Sequence, residues 1–154
     1  MSFQAAESEL KITRVFDAPR ELVFKTWTDP STMLAWWGPV FCPAKQVDMD
    51  VRPGGRWRCC LASEPHGGDL WQGGVFRKVN PYDLLEFTFV FEAEGDMGVE
   101  NIVTIQFFEE GNKTRMDFRQ APFPSVAQRG ANNDGWSNMF DRLETYLRSK
   151  NGSK

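Results

Sequence analysis

The chain has 154 residues, enough for one domain with a single core, and its 18 basic and 21 acidic residues leave a formal net charge of −3. This balance excludes the basic stripe of a nucleic-acid-binding protein. No apolar run approaches the roughly 18–20 residues that cross a bilayer, so we expect no nucleic-acid partner and no membrane span.

The cysteine and histidine content argues against a disulfide framework and against a metal site. Three cysteines form no even-numbered disulfide framework, and a single histidine without a Cys-x-x-Cys pair is not typical of a metal site. The N-terminus has neither the basic flank nor the apolar stretch of a secretion signal. We therefore expect a cytoplasmic protein with no metal and no cofactor.

The first elements are a strand and two short helices. Leu10, Ile12 and Val15 alternate with charged residues, which is typical of a strand. Asp17 or Ala18 lies near the cap of the first helix, with a proline in its first turn. The second helix begins at the N-cap signal Asp-Pro (residues 29–30) and ends at Gly-Pro (residues 38–39).

Two adjacent tryptophans occupy the last turn of this second helix. Neighbouring residues on a helix point about 100° apart, so Trp36 and Trp37 cannot enter one core in the same way. We expect Trp36 to anchor the helices in the core. Trp37 would then lie near the rim of the core, where it could gate a cavity.

From residue 42 to residue 120 the hydrophobic period is two, which predicts a meander of about six strands. The turns between these segments are too short for crossover connections, so the strands are antiparallel. Gly73 and Gly74, in mid-strand, predict a bulge or a sharp bend. His66 falls in a glycine-rich turn and is expected at an exposed hairpin tip.

The C-terminal part returns to helical spacing. Trp136, Phe140, Leu143 and Leu147 recur at i, i+4, i+7 and i+11, and residues 125–134 are compatible with the first turns. The order of elements predicts an α+β domain with helices packed on an antiparallel sheet. We expect this domain over residues 9–148, between flexible tails at 1–8 and 149–154.

Five segments carry a family resemblance in the family's own order, namely residues 16–39, 47–58, 73–89, 103–116 and 135–147. They resemble the START-like, or helix-grip, superfamily (SRPBCC). Within it they are similar to the family related to the C-terminal domain of the activator of the heat-shock protein 90 ATPase. The resemblance implies a curved antiparallel sheet of about six to seven strands, two short helices and a long C-terminal helix over a cavity.

The resemblance also implies three functions. Members of the superfamily bind hydrophobic or amphipathic small molecules, so the first hypothesis is a lipid-like or polycyclic ligand held between the sheet and the C-terminal helix. The second is a chaperone-modulating, protein-binding domain with a role in the stress response, and an exposed Trp37 would support it. The third is an enzyme of the cyclase or aromatase type. The chain would act as a monomer or a homodimer.

Rings from the strands and from the C-terminal helix converge on the proposed ligand site, and small-molecule pockets are mostly apolar. The candidate ligand-binding residues are Trp37, Trp57, Trp71, Phe76, Phe87, Phe89, Phe91, Trp136, Met139 and Phe140. The alternative interpretation is that these rings fill a solid core. If Trp57 faces inward, alternation places Cys59 and Leu61 inward as well and Cys60 outward.

An enzyme would need a base, a nucleophile or an oxyanion site in one place. His66 is expected to be exposed, and Glu86 lies on the strand face opposite the phenylalanine row. Cys59 and Cys60 point to opposite faces, and neither has a neighbouring histidine to lower its pKa. We therefore assign no catalytic residue from the sequence.

Overall fold

The computed structural model describes residues 9–39, 41–63, 67–92 and 99–151, so the predicted tail at 1–8, His66 and residues 152–154 lie outside the described residues. The elements are β1 (Leu10–Phe16), α1 (Arg20–Thr28), α2 (Pro30–Trp36), β2 (Ala44–Met49), β3 (Arg56–Ser63), β4 (Gly68–Asn80), β5 (Leu84–Phe91), β6 (Asn101–Glu110), β7 (Lys113–Ala121) and α3 (Val126–Asn151).

The strands form one seven-stranded antiparallel sheet in the order β1-β7-β6-β5-β4-β3-β2. Strands β2 to β7 are neighbours in sequence order, which confirms the predicted meander, and β1 pairs with β7 at one edge. With two short helices and the long α3, the chain has the predicted α+β, helix-grip architecture. No helix in the described ranges is long and apolar enough to cross a membrane.

Strand alternation divides the sheet into a face toward α3, called here the inner face, and an outer face. In β1 the inward positions are Leu10, Ile12, Arg14 and Phe16, because these pair with the inward residues of β7. Arg14 reaches α3, where it forms an ion pair of 2.9 Å with Asp141. The strand predicted from Leu10, Ile12 and Val15 is confirmed, and Val15 lies on its outer face with its side chain 47% exposed.

Both short helices begin near the predicted signals. The Asp29 carboxylate caps α2 by accepting a hydrogen bond from the Ser31 backbone N–H at 2.9 Å, with Pro30 as the first helical residue. Pro19 is the N-cap of α1 and has extended backbone, so it lies one residue before the predicted first turn. These two starts position α1 and α2 side by side against the sheet.

Helix α3 is the second layer of the domain. Its predicted inward residues Trp136, Phe140, Leu143 and Leu147 are all buried, at 3%, 0%, 0% and 1% exposure. The polar residues before them form its first turns, as expected. The helix continues to Asn151, beyond residue 148, and thus through the first residues of the segment predicted as a tail.

Glycines in β4 allow two strands to approach closely. The bulge in β4 lies between Phe76 and Lys78 rather than at the glycine pair. At Gly74 an added Cβ would lie 1.9 Å from the carbonyl oxygen of Thr88 on β5, which no side chain can occupy. Thr88 also accepts, through Oγ1, a 2.8 Å hydrogen bond from the Val75 N–H.

Replacing Gly74 with alanine should lower the free energy of unfolding by roughly 1–3 kcal/mol, because β4 and β5 must move apart to admit the methyl group. Urea denaturation of the variant and the wild type measures the difference.

Gly130→Ala is the matched control, because this exposed glycine lies in α3 and a Cβ there would have nothing within 4 Å. It should raise the free energy of unfolding by up to about 1 kcal/mol, the helix preference of alanine over glycine. Equal effects of the two substitutions would contradict the close approach at Gly74.

Candidate ligand-binding site

The site begins where α2 ends. Trp36 is the last residue of α2, whereas Trp37 has extended backbone with φ −72° and ψ 140°, and Gly38 follows with φ 85°. The chain thus leaves the helix between the two tryptophans, and both rings enter the interior, at 0% and 1% exposure. The prediction that Trp36 anchors the helices is confirmed. The expected position of Trp37 near the rim is wrong, because the 100° helical offset does not apply after the helix ends.

A cavity of about 610 Å³ lies between the inner face of the sheet, α3 and the segment that follows Trp37. Its described lining residues are Trp37, Gly38, Pro39, Phe41, Cys42, Leu61, Ser63, Leu70, Gln72, Phe89, Phe91, Gln128, Ala131, Asn132, Gly135, Trp136 and Met139. None of these carries a charged side chain. The interior of this part of the domain is therefore not a solid core.

The cavity has a buried end and an exposed end. Trp37, Gln72 and Trp136 are at most 3% exposed and form the buried end. Phe41 is 79% exposed, so the part of the lining that it forms, called here the mouth, is open to solvent.

Hydrogen bonds fix the rings at the buried end. The Trp37 Nε1–H donates to Gln72 Oε1 at 2.5 Å, and the Trp136 Nε1–H donates to Gln120 Oε1 at 2.7 Å. The two rings also contact each other edge to face, with centroids 5.3 Å apart. The indole rings are thereby fixed in orientation, which gives the buried end a defined shape.

Arg142 holds the segment after α2 against α3. Its guanidinium donates hydrogen bonds to the carbonyl oxygens of Ala35, Trp37 and Gly38, at 3.3 Å for Ala35 and Trp37. A Cβ at Gly38 would lie 2.5 Å from the carbonyl oxygen of Cys42, so a residue with a side chain would not fit at this turn. Arginine and glycine together fix the wall that leads from Trp37 to the mouth.

The cavity brings together part of the predicted set, namely Trp37, Phe89, Phe91, Trp136 and Met139. Phe89 contacts both Phe91 and Trp136, with centroid distances of 5.3 Å and 5.9 Å. These residues come from β5, α3 and the end of α2. They are the predicted ligand-binding residues that line the cavity.

The remaining candidates do not line the cavity. Trp57, Phe76 and Phe87 pack on the other side of the Trp37 ring, around a void of only about 10 Å³. Phe140 is fully buried behind Trp136, with centroids 5.7 Å apart. For these residues the alternative interpretation, a packed core, describes their surroundings.

Trp71 lies on the outer face of the sheet, because it precedes the inward-facing Gln72 and alternation reverses its direction. The guanidinium carbon of Arg58 lies 3.8 Å from its ring centroid, and Arg58 also forms a 2.8 Å ion pair with Glu92. Trp71 is thus half-buried by a charged neighbour on the face remote from the cavity.

Sequence reasoning missed the polar lining residues, above all Gln72 on β4 and Gln128 and Asn132 on α3. The signal for Gln72 was present, because alternation through β4 places it on the same face as Leu70 and Phe76. The predicted candidates on this strand included its neighbour Trp71, which alternation places on the opposite face. For Gln128 and Asn132, polar residues in a helix gave no signal of an inward position.

The thiols are not activated. Burial raises the pKa of Cys42, Cys59 and Cys60 above the ordinary value of 9.0. Cys59 faces inward and Cys60 outward, as predicted, although both are at most 1% exposed. A thiolate nucleophile is therefore disfavoured at all three positions. Among the described residues, no group of three or more His, Cys, Asp or Glu side chains could hold a metal ion.

Comparison with known structures shows the same fold in several bacterial proteins. Protein CV1439 from Chromobacterium violaceum is 22% identical, with a TM-score of 0.83 over 91% of this chain and 96% of that one. The AHSA1 protein from Silicibacter pomeroyi is 22% identical, with a TM-score of 0.80 over 92% and 99% of the two chains. Protein Ms6760 from Mycobacterium smegmatis is 23% identical, with a TM-score of 0.79 over 97% and 96%.

No curated protein matches the sequence significantly. The family model of the Activator of Hsp90 ATPase homolog 1-like proteins matches residues 17–148, which is most of the described domain. With the seven-stranded sheet and the long α3, this match confirms the predicted family. The chain belongs to the family of Activator of Hsp90 ATPase homolog 1-like proteins.

Proposed function

We propose that the protein binds a hydrophobic or amphipathic small molecule in the cavity between the sheet and α3. The observation that carries the proposal is the volume of about 610 Å³, since small-molecule pockets span roughly 300–1,000 Å³. Its lining is mostly apolar, with a few polar side chains at defined places. This composition is typical of sites that bind by desolvation and orient the ligand with a small number of hydrogen bonds.

The energetics of such a site favour a sizeable ligand. Association costs on the order of 4–15 kcal/mol, whereas burial of apolar surface contributes about 25 cal/mol per Å². A ligand must therefore bury on the order of 200–600 Å² of apolar surface before binding is favourable. Lipid-like and polycyclic molecules meet this requirement, and metabolites of a few carbon atoms do not.

The two other functions that the family suggested have less support. Chaperone binding was linked to an exposed Trp37, and that ring is 1% exposed. A cyclase or aromatase needs an acid or base beside its substrate, and the described lining residues include no carboxylate, histidine or amine. A non-enzymatic binding role uses every lining feature described above and requires no additional group.

Two glycines in α3 provide a matched test of the cavity. Gly135 lines the cavity and Gly130 does not, and a Cβ at either position would have nothing within 4 Å. Gly135→Leu should fill part of the cavity and weaken binding of the fluorescent probe N-phenyl-1-naphthylamine by about tenfold or more, because overpacking costs ~1–3 kcal/mol. Gly130→Leu should leave the affinity unchanged.

Probe fluorescence titration measures both variants, and native mass spectrometry of gently purified protein searches for a retained ligand. Equal affinities of the two variants would place the binding site elsewhere. A clean unliganded mass, together with no thermal shift in the wild type across a panel of lipids and polycyclic aromatics, would overturn the proposal.

Cys42 provides a second test, because it lines the cavity and is only half-buried. Burial raises the pKa of its thiol above 9.0, so little thiolate is present near neutral pH. Alkylation by iodoacetamide should therefore accelerate about tenfold per pH unit through pH 9 without a plateau, since only the thiolate reacts. Saturating N-phenyl-1-naphthylamine should slow it.

Peptide mapping by mass spectrometry follows each cysteine separately. Cys59 and Cys60 are the internal controls, because at 0% and 1% exposure they should stay unmodified while the protein is folded. A rate plateau below pH 9 would contradict the raised pKa of Cys42. An unchanged rate with saturating probe would contradict occupancy of the cavity.

A further inference from the structure

We propose that Gln72 is the specificity-determining hydrogen-bond donor of the cavity and that the ligand carries an uncharged oxygen acceptor, such as a ketone or ester carbonyl, at its deeper end. This inference rests on the proposed function and assigns the ligand class of the same site. It follows from the orientation of one amide, from the absence of a partner on its nitrogen within the described residues, and from the uncharged lining.

The orientation of the Gln72 amide is determined by Trp37. An indole N–H can only donate, so the atom that it contacts at 2.5 Å must be the amide oxygen of Gln72. The two ends of an amide are otherwise hard to distinguish, but here the donor settles the assignment. The Nε2 group, with two N–H bonds, is consequently turned away from Trp37.

The Nε2 group of Gln72 has no acceptor within the described part of the chain. Gln72 as a whole is 3% exposed and lines the cavity. The described side-chain nitrogens that are both sealed from solvent and without a partner are Arg20 Nε and Trp27 Nε1. Gln72 Nε2 is not one of them, so its remaining accessible surface faces space that a water-sized group can enter, and the cavity is that space.

A second Trp–Gln pair shows what a fully satisfied arrangement looks like in this fold. Gln120 Oε1 accepts from Trp136 Nε1 at 2.7 Å, as Gln72 does from Trp37. The Nε2 of Gln120 then donates to Asn101 Oδ1 at 2.8 Å, and Gln120 is fully buried. The Gln120 relay thus ends on a protein acceptor, whereas the Nε2 of Gln72, which lines the cavity, has no acceptor among the described residues.

The charge of the lining selects the kind of acceptor. No described lining residue is a cation, so a carboxylate or phosphate brought to the buried end would lose its hydration without an opposing charge. A carbonyl, ester or ether oxygen has a much smaller desolvation cost and accepts the same hydrogen bond. The apolar remainder of the ligand would contact the apolar lining, which includes Leu70, Phe89 and Phe41.

The test compares two ligands of nearly equal shape, fluorene and 9-fluorenone, which differ by a carbonyl in place of a methylene group. Binding is measured by displacement of N-phenyl-1-naphthylamine and by calorimetry with the full chain. Wild type should bind 9-fluorenone about three- to tenfold more tightly than fluorene, the value of one hydrogen bond to the amide. Without such a bond the ketone, which is better hydrated, should bind more weakly.

Two glutamine substitutions locate the donor. Gln72→Met keeps the length of the side chain and removes the N–H groups, so it should abolish the preference for 9-fluorenone while fluorene still binds. Gln128→Met is the matched control, because Gln128 lines the same cavity from α3 and its loss should leave the preference intact.

The outcomes separate the two proposals. If neither compound binds wild type and the probe does not bind either, the proposed function and this inference both fail. If both compounds bind with the same affinity, or if Gln128→Met removes the preference and Gln72→Met does not, the inference about Gln72 fails and the binding function stands. Should Gln72→Met not fold, the relative affinity of wild type for the two compounds still supports or overturns the hydrogen bond.

Discussion

The position of one ring, that of Trp37, determines how the interior of this domain is divided. On one side Trp37 packs against Trp27 and Trp57, with centroids 5.7 Å and 5.9 Å away, around a void of about 10 Å³. On the other side the same ring forms the end wall of the 610 Å³ cavity. The ring can hold this position because the backbone leaves α2 directly before it and because Gln72 accepts its N–H. Without Trp37 the packed core and the cavity would be continuous.

An open cavity has a cost in stability, since the walls lose the contacts that a filled core would make. The tryptophans offset part of this cost through hydrogen bonds as well as packing. The two tryptophans of the cavity wall donate their indole N–H groups to glutamine oxygens, Trp37 to Gln72 at 2.5 Å and Trp136 to Gln120 at 2.7 Å, which restricts how these rings can move inward. A wall of oriented indoles is therefore more rigid than one of aliphatic side chains, and rigidity keeps the space available to a ligand.

The fold could be predicted from the sequence because its signals are local. Asp29 and Pro30 start α2 through their own backbone chemistry, and the period of two in the strands fixes which residues share a face. The division of the rings between core and cavity could not be predicted, because Phe87 and Phe89 are equivalent in any pattern and differ only in what lies above them. Trp37 was misplaced because helical geometry was applied one residue too far, and Gln72 was overlooked because alternation was followed for aromatic residues alone. Tertiary contacts decide which rings belong to the core and which to the cavity, whereas the inward position of Gln72 follows from alternation along β4.

The contacts among the indoles have a spectroscopic consequence. Trp27, Trp36, Trp37 and Trp136 form a chain of neighbouring rings with centroid distances of 4.9–6.0 Å. At such separations excitation can pass from ring to ring before it is emitted, so the emission belongs to the group of rings rather than to one of them. A molecule beside Trp136 would change the emission of rings that it never touches, and intrinsic fluorescence reports that the cavity is occupied without showing where. Trp71, on the outer face beside Arg58, has no ring contact with this group among the described residues, so its surroundings do not depend on whether the cavity is occupied.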